Sequence, residues 1–169
     1  WSEVVNDIQT VLLEEGITSI SENIFKDHTT LTTISIPKSV ITIGNNILRG
    51  CTALKTITVA EGNAGYSSDT NGILYNKDKT TLIQYPLGKE EKEYSIETGI
   101  NKIESYAFEQ AQHLESVTIA NDVHTIKEKA FESISTLKTV TIGSSVQTIG
   151  EYAFRYCGQL ESFTVGENN

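Results

Sequence analysis

The chain has 169 residues, 38% apolar and 21% charged, enough for one domain with its own core and not the make-up of a disordered tract. Ile (20) and Thr (21) outnumber Leu (11), and β-branched residues favour strands, so a helical bundle is excluded. A net charge of −9 without any Lys/Arg cluster excludes a nucleic-acid partner, and no apolar run reaches the roughly 18–20 residues that cross a bilayer.

From Ile8 onward the chain repeats every 23 residues. The units span 8–30, 31–53, 54–90, 91–113, 114–136 and 137–159, with a partial unit from Leu160; the third is stretched to 37 residues. Counting places from the first residue of each unit, place 12 holds Ile five times, at Ile20, Ile43, Ile103, Ile126 and Ile149. Place 9 holds Ile17, Val40, Ile100, Val123 and Val146, and place 17 holds Phe25, Leu48, Phe108, Phe131 and Phe154. Chance does not build three such columns.

Each unit opens with an alternating pattern, as in Leu31, Ile34, Ile36 or Leu137, Val140, Ile142, which predicts a strand with one buried face. A turn follows (Pro37-Lys38-Ser39, Gly143-Ser144-Ser145), then a second short β-prone piece such as 146–149. The pairs Ala107-Phe108, Ala130-Phe131 and Ala153-Phe154 come next. Their apolar residues, adjacent and three apart, predict one or two helical turns. A single unit cannot bury its apolar columns, whereas stacked coils can. The expected fold is an α/β repeat solenoid with a parallel β-sheet on one face and short helical turns on the other.

An insertion at about 61–89 interrupts the third unit. Ile73-Leu74-Tyr75, polar 76–79 and Thr81-Leu82-Ile83-Gln84-Tyr85 predict a β-hairpin, a small flap or extra pair of strands beside the third coil, whose apolar residues and tyrosines call for burial. The reading is one domain over 1–169, interrupted once. The opening at Trp1 and the lack of Met lead us to expect a piece of a longer chain.

The unit LKTVTIGSSVQTIGEYAFRYCGQ resembles the 23-residue repeat of BspA-like (Treponema-type) leucine-rich repeat proteins, and YSSDTNGILYNKDKTTLIQYP resembles a segment recurring in that family. The likeness runs from Ile8 to Val165. The common leucine-rich repeat pattern has Asn or Cys at place 8; here Gly16, Ser39, Gly99, Asp122 and Ser145 stand there, which fits this subclass. The resemblance implies a right-handed leucine-rich-repeat superhelix. It also implies a cell-surface or secreted protein that adheres to host matrix, serum proteins or other cells.

No chemistry beyond binding is visible. His28, His113 and His124 occupy different repeat places without a ligand-spaced partner, and nucleophile elbows and phosphate loops are missing. Ser67–Gly72 faintly resembles the start of a calcium loop but lacks its Glu, so a turn accounts for it better. Cys51 and Cys157 fall at the same place four coils apart, roughly 19 Å at 4.8 Å per coil. That is far beyond the ~7 Å a disulfide allows, and buried free thiols are expected. No metal, cofactor or catalytic residue is assigned, and a non-enzymatic chain is expected.

The outward strand positions form the candidate surface, with Thr58, Thr118 and Thr141 along one row. A solvated Ser/Thr sheet explains the same row without any partner. Hot spots favour Trp, Tyr and Arg, which makes Tyr66, Tyr75, Tyr85 and Tyr94 the better candidates for a contact with a macromolecular partner, expected to be a protein. The leading reading is thus a protein-binding or adhesion module, and its rival is a structural spacer within a larger surface protein. At the ends, Trp1, Val4 and Val5 are expected to cover the first coil, and the last coil is expected to be uncapped.

Overall fold

The computed structural model describes residues 7–166, in which fifteen strands and no helix are present. The first coil carries β1 (Thr10–Leu12) and β2 (Ser19–Ile20), the second β3 (Thr33–Ile36) and β4 (Thr42–Ile43). The third opens with β5 (Thr56–Val59), passes through β6 (Tyr66–Ser68) and β7 (Leu74–Asn76), and closes with β8 (Thr81–Gln84). The fourth carries β9 (Glu93–Ser95) and β10 (Lys102–Ile103), the fifth β11 (Ser116–Ile119) and β12 (Thr125–Ile126). The sixth carries β13 (Thr139–Ile142) and β14 (Thr148–Ile149), and β15 (Ser162–Val165) begins a seventh.

Equivalent strands stack in parallel, one repeat out of step, so each column meets itself: Ile34 pairs with Ile57, Val117 with Val140, Ile126 with Ile149. The longer strands make two sheets, β1-β3-β5 and β9-β11-β13-β15. The shorter ones make β2-β4 and β14-β12-β10-β8, the latter extended by β7 and β6. The solenoid is as expected. Its inward columns are fully buried in the inner coils, with Ile34, Ile57 and Phe131 at 0% exposure, and open towards the ends, where Ile17 and Ile149 are exposed. The place-17 aromatics stack face to face, Phe108 on Phe131 at 4.6 Å and Phe131 on Phe154 at 5.0 Å.

The expected helical turns are absent from the described residues. In the first, fourth, fifth and sixth coils two residues take the left-handed conformation, at places 15 and 19: Asn23 and Asp27, Tyr106 and Gln110, Lys129 and Ser133, Tyr152 and Tyr156, with φ between 56° and 63°. Each closes a single bend, as where Glu109 N–H donates to Tyr106 C=O at 3.1 Å, and the next residue cannot continue a helix. The remaining N–H groups cross between coils instead. Those of Tyr106, Phe108 and Gln110 donate to the carbonyls of Glu128, Ala130 and Glu132 at 3.3, 2.7 and 3.0 Å. This ladder offsets the roughly 1–2 kcal/mol that a left-handed non-glycine residue costs. Apolar spacing alone cannot separate bends of one turn from a helix.

The insertion is anchored by Asn63, 1% exposed. Its Nδ2 donates to Pro37 and Val40 carbonyls at 2.8 and 2.9 Å, and its Oδ1 accepts from Gly65 and Tyr66 N–H at 2.9 Å. The predicted hairpin is β7–β8, antiparallel, with Asn76 Oδ1 accepting from Thr80 and Thr81 N–H. An additional strand, β6, pairs with β7 in a stretch whose sequence reads as a turn. Gly72 has φ +73°, and a Cβ there would come within 2.9 Å of Thr56 Cα. That close approach lets its carbonyl accept Ile57 N–H at 3.0 Å. β7 also divides the interior: Leu74 packs with the first coils, while its neighbours Ile73 and Tyr75 pack with the last ones. Cys51 and Cys157 are free thiols. Trp1, Val4 and Val5 lie outside the described residues.

Candidate binding surfaces

The sheet face is built as its alternation dictates. Thr58, Thr118 and Thr141 are exposed on β5, β11 and β13, while Ile57, Val117 and Val140 between them point inward. Much of this face binds itself. Thr139 Oγ1 donates to Ser116 Oγ at 2.8 Å, and Glu115 bridges Lys92 and Lys138 at 2.7 and 2.6 Å. Hydrogen bonds from Lys138 and Lys92 hold the Glu115 carboxyl down at about 2. Lys92, Glu115 and Lys138, at one repeat place in successive coils, therefore neutralise one another.

The tyrosines named as candidate contacts lie largely in the interior. Tyr75 and Tyr85 are each 1% exposed and offer no side-chain surface to a partner. Tyr85 has taken the place-17 position of the third coil, stacked on Phe108 at 4.8 Å. Tyr75 hydrogen-bonds Asp69 at 3.3 Å and the Tyr94 hydroxyl at 3.2 Å. Burial pushes the Tyr94 phenol up to about 12. Tyr94 and Tyr66 are half-buried, and the Tyr66 hydroxyl accepts Ile43 N–H at 2.8 Å, in the place of a missing strand carbonyl. Asp69 Oδ1 accepts Ile73 N–H at 2.9 Å, so this stretch is the turn that its sequence favoured over a calcium loop. Among the described residues no group of three His, Cys, Asp or Glu is placed to hold a metal ion.

Aromatic and cationic side chains do come together elsewhere, along the bends. Arg49 lies 4.5 Å over the Tyr106 ring, and Lys129 sits 5.4 and 5.8 Å from the Tyr106 and Tyr152 rings. Arg155 is 4.2 Å over Tyr152 and 4.6 Å over Tyr156. Tyr152 and Tyr156 are 44% and 68% exposed. The signal was available in the sequence, since Tyr106, Lys129 and Tyr152 share place 15. It was hidden by reading that stretch as helix.

A model of the BspA type leucine rich repeat region matches in six copies over residues 3–86 and 88–169. The chain belongs to this family. No curated protein matches it. Among solved structures, this BspA-type chain is similar to a leucine-rich repeat protein from Eubacterium ventriosum, with a TM-score of 0.75 and 24% identity, over 94% of this chain and 60% of that one. It is similar to the pneumococcal vaccine antigen PcpA, with a TM-score of 0.75 and 27% identity, over 90% of this chain and 43% of that one. A leucine rich cell surface protein from Faecalibacterium prausnitzii gives 0.58 and 25%, over 94% and 60%. The BspA-type chain thus spans about half the length of these relatives. No helix among the described residues is long and apolar enough to cross a membrane.

Proposed function

We propose that this BspA-type chain is a non-enzymatic protein-binding module of a cell-surface or secreted bacterial protein, and that it meets its partner along the bends. The observation that carries the reading is the run of Tyr106, Lys129, Tyr152, Arg155 and Tyr156. It gathers the residue types that dominate binding hot spots, on rigid coils with rings and guanidinium already stacked. Surface location is supported by the relatives named as a vaccine antigen and a cell surface protein. The sheet face is the weaker candidate, because Thr58, Thr118 and Thr141 stand beside groups that already satisfy one another.

A binding screen against immobilised host matrix proteins and whole cells tests this. A Tyr152→Ser/Arg155→Ser variant is expected to lose at least tenfold in affinity, while Thr118→Glu/Thr141→Glu binds as the parent does. The reverse pattern assigns the contact to the sheet face. A folded parent that binds nothing favours the spacer reading.

A further inference from the structure

The insertion leaves a cleft of about 540 Å³ between the second and fourth coils. A shortened corner causes it. In regular coils four residues, such as 104–107 or 127–130, connect the place-12 Ile to the place-17 aromatic. In the third coil Leu82 pairs with Ile103 and Tyr85 stacks on Phe108, so Ile83 and Gln84 alone turn that corner. The cleft opens where two residues are missing.

Its walls carry main-chain groups that are paired at regular interfaces. The carbonyls of Ile20, Ile103 and Ile126 accept the N–H of Gly44, Lys127 and Gly150 at 2.8, 3.0 and 2.8 Å. The N–H groups of Asn23, Tyr106 and Lys129 donate to the carbonyls of Asn45, Glu128 and Glu151 at 3.2, 3.3 and 3.0 Å. In the cleft, the corresponding Ile43 carbonyl and Asn46 N–H on one wall, and Ser105 carbonyl on the other, have no partner among the described residues. All three residues line it.

We propose that this cleft recognises a short peptide segment of a partner protein, bent as the regular corners are, through its main chain, as a substitute for the missing corner. Three consecutive residues complete the ladder. The first donates N–H to Ile43, the second offers its carbonyl to Asn46 N–H, and the third donates N–H to Ser105. This is the hydrogen-bonding order of places 13 to 15 in the regular coils, with main-chain hydrogen bonds supplying the affinity as they do in strand addition. Charge does not select the ligand, because Glu104 is bridged by Lys102 and Lys127 at 2.9 and 2.8 Å. The walls are held in place by Arg49 and Glu109, which pair from the second to the fourth coil at 2.8 Å, so the site is preformed. It meets the proposed binding run only at Tyr106 and contains neither Tyr152 nor Arg155, so its test is independent of that reading.

The probe is acetyl-Gly-Glu-Tyr-Ala-amide, the corner sequence of residues 150–153. Titrated into the isotopically labelled chain, it is expected to shift the amide signals of Asn46 and Tyr106 saturably. The same peptide N-methylated at Gly and Tyr is expected not to. Inserting Gly-Ser between Ile83 and Gln84, or plugging the cleft with Asn45→Trp should the insertion misfold, is expected to abolish the shifts and leave the remaining spectrum intact. Equal binding of the N-methylated peptide overturns the proposal. So does a lack of saturable shifts up to about 10 mM, or displacement of those signals by maltotriose in place of the peptide.

Discussion

Arg49 Nη2 and Glu109 Oε1 meet at 2.8 Å across 60 positions of sequence, whereas the equivalent Arg155 and Glu132 pair across 23. The repeat column is the same; the insertion has removed the bend that would stand between the first two. Glu109 and Glu132 are buried in successive coils, with side chains 3% and 5% exposed, and each is neutralised from its outer side. Arg49→Leu strands a buried carboxylate beside another, and should cost about 3–5 kcal/mol. Glu109→Gln keeps a hydrogen-bonding partner and leaves a guanidinium that reaches water, so about 1–2 kcal/mol is expected. Urea denaturation of both variants measures the asymmetry. Equal losses would mean that the cation, not the carboxylate, is the group that needs its partner.

The two buried tyrosines of the insertion should respond in opposite ways to loss of their hydroxyls. Tyr85 Oη is buried and has no hydrogen-bond partner among the described residues. Tyr85→Phe should therefore leave the protein as stable or more so, by up to about 1–3 kcal/mol, the usual cost of an unsatisfied buried polar group. Tyr75→Phe deprives both Asp69 and Tyr94 of a partner and should destabilise by about 1 kcal/mol. Thermal melts of the two variants moving in the same direction would refute this assignment of the hydroxyls.

These residues mark where sequence reasoning stopped. The columns at places 9, 12 and 17 were legible because each is a packing constraint repeated in every coil, and the sheet alternation followed from period two. Tyr85 was legible as buried but not as the third coil's place-17 aromatic, because fourteen extra residues hide its place in the count. The bends were misread because Tyr106, Lys129 and Tyr152 are not residues that favour the left-handed conformation on their own, and cross-coil hydrogen bonds make it favourable there. β6 was invisible for a similar reason: Tyr66-Ser67-Ser68 has no apolar alternation, and its pairing with β7 is decided by tertiary position.

Phe131 sits at the centre of the aromatic column, 4.6 Å from Phe108 and 5.0 Å from Phe154, at 0% exposure. Phe131→Ala should cost about 3–5 kcal/mol, read as a drop of many degrees in melting temperature. Thr118→Ala on the exposed side of β11 should change stability by less than about 0.5 kcal/mol. A larger loss at Thr118 than at Phe131 would mean that the coil is inside out.

Glu115 supplies the pH test. Its folded carboxyl is held at about 2 against an ordinary value near 4.5, by Lys138 and Lys92. A depressed carboxylate stabilises the fold above its unfolded pKa, and that contribution is lost as pH falls from about 4.5 towards 2. NMR titration should place the Glu115 midpoint well below those of unpaired glutamates, and Lys138→Gln should raise it. Added salt should raise it as well, since the pair is exposed. An unshifted midpoint in the parent would show that the two lysines do not hold the carboxylate in solution.

The last coil should betray its open ladder. In the fifth coil the N–H groups of Lys129, Phe131 and Ser133 donate to the carbonyls of Glu151, Ala153 and Arg155 at 3.0, 2.8 and 2.8 Å. Their counterparts in the sixth coil, Tyr152, Phe154 and Tyr156, have no acceptor among the described residues. β15 beside them is exposed at all four positions. Amide exchange in this chain should thus be at least about a hundredfold faster at 152, 154 and 156 than at 129, 131 and 133, a difference of roughly 3 kcal/mol in opening free energy. Both sets share the same bend and the same left-handed φ, so local conformation cannot produce the contrast. If the two sets are equally protected in a dilute monomer, the sixth coil's donors are satisfied by a segment outside residues 7–166. Protection that rises with protein concentration would instead show a second molecule docking its own coil onto that edge.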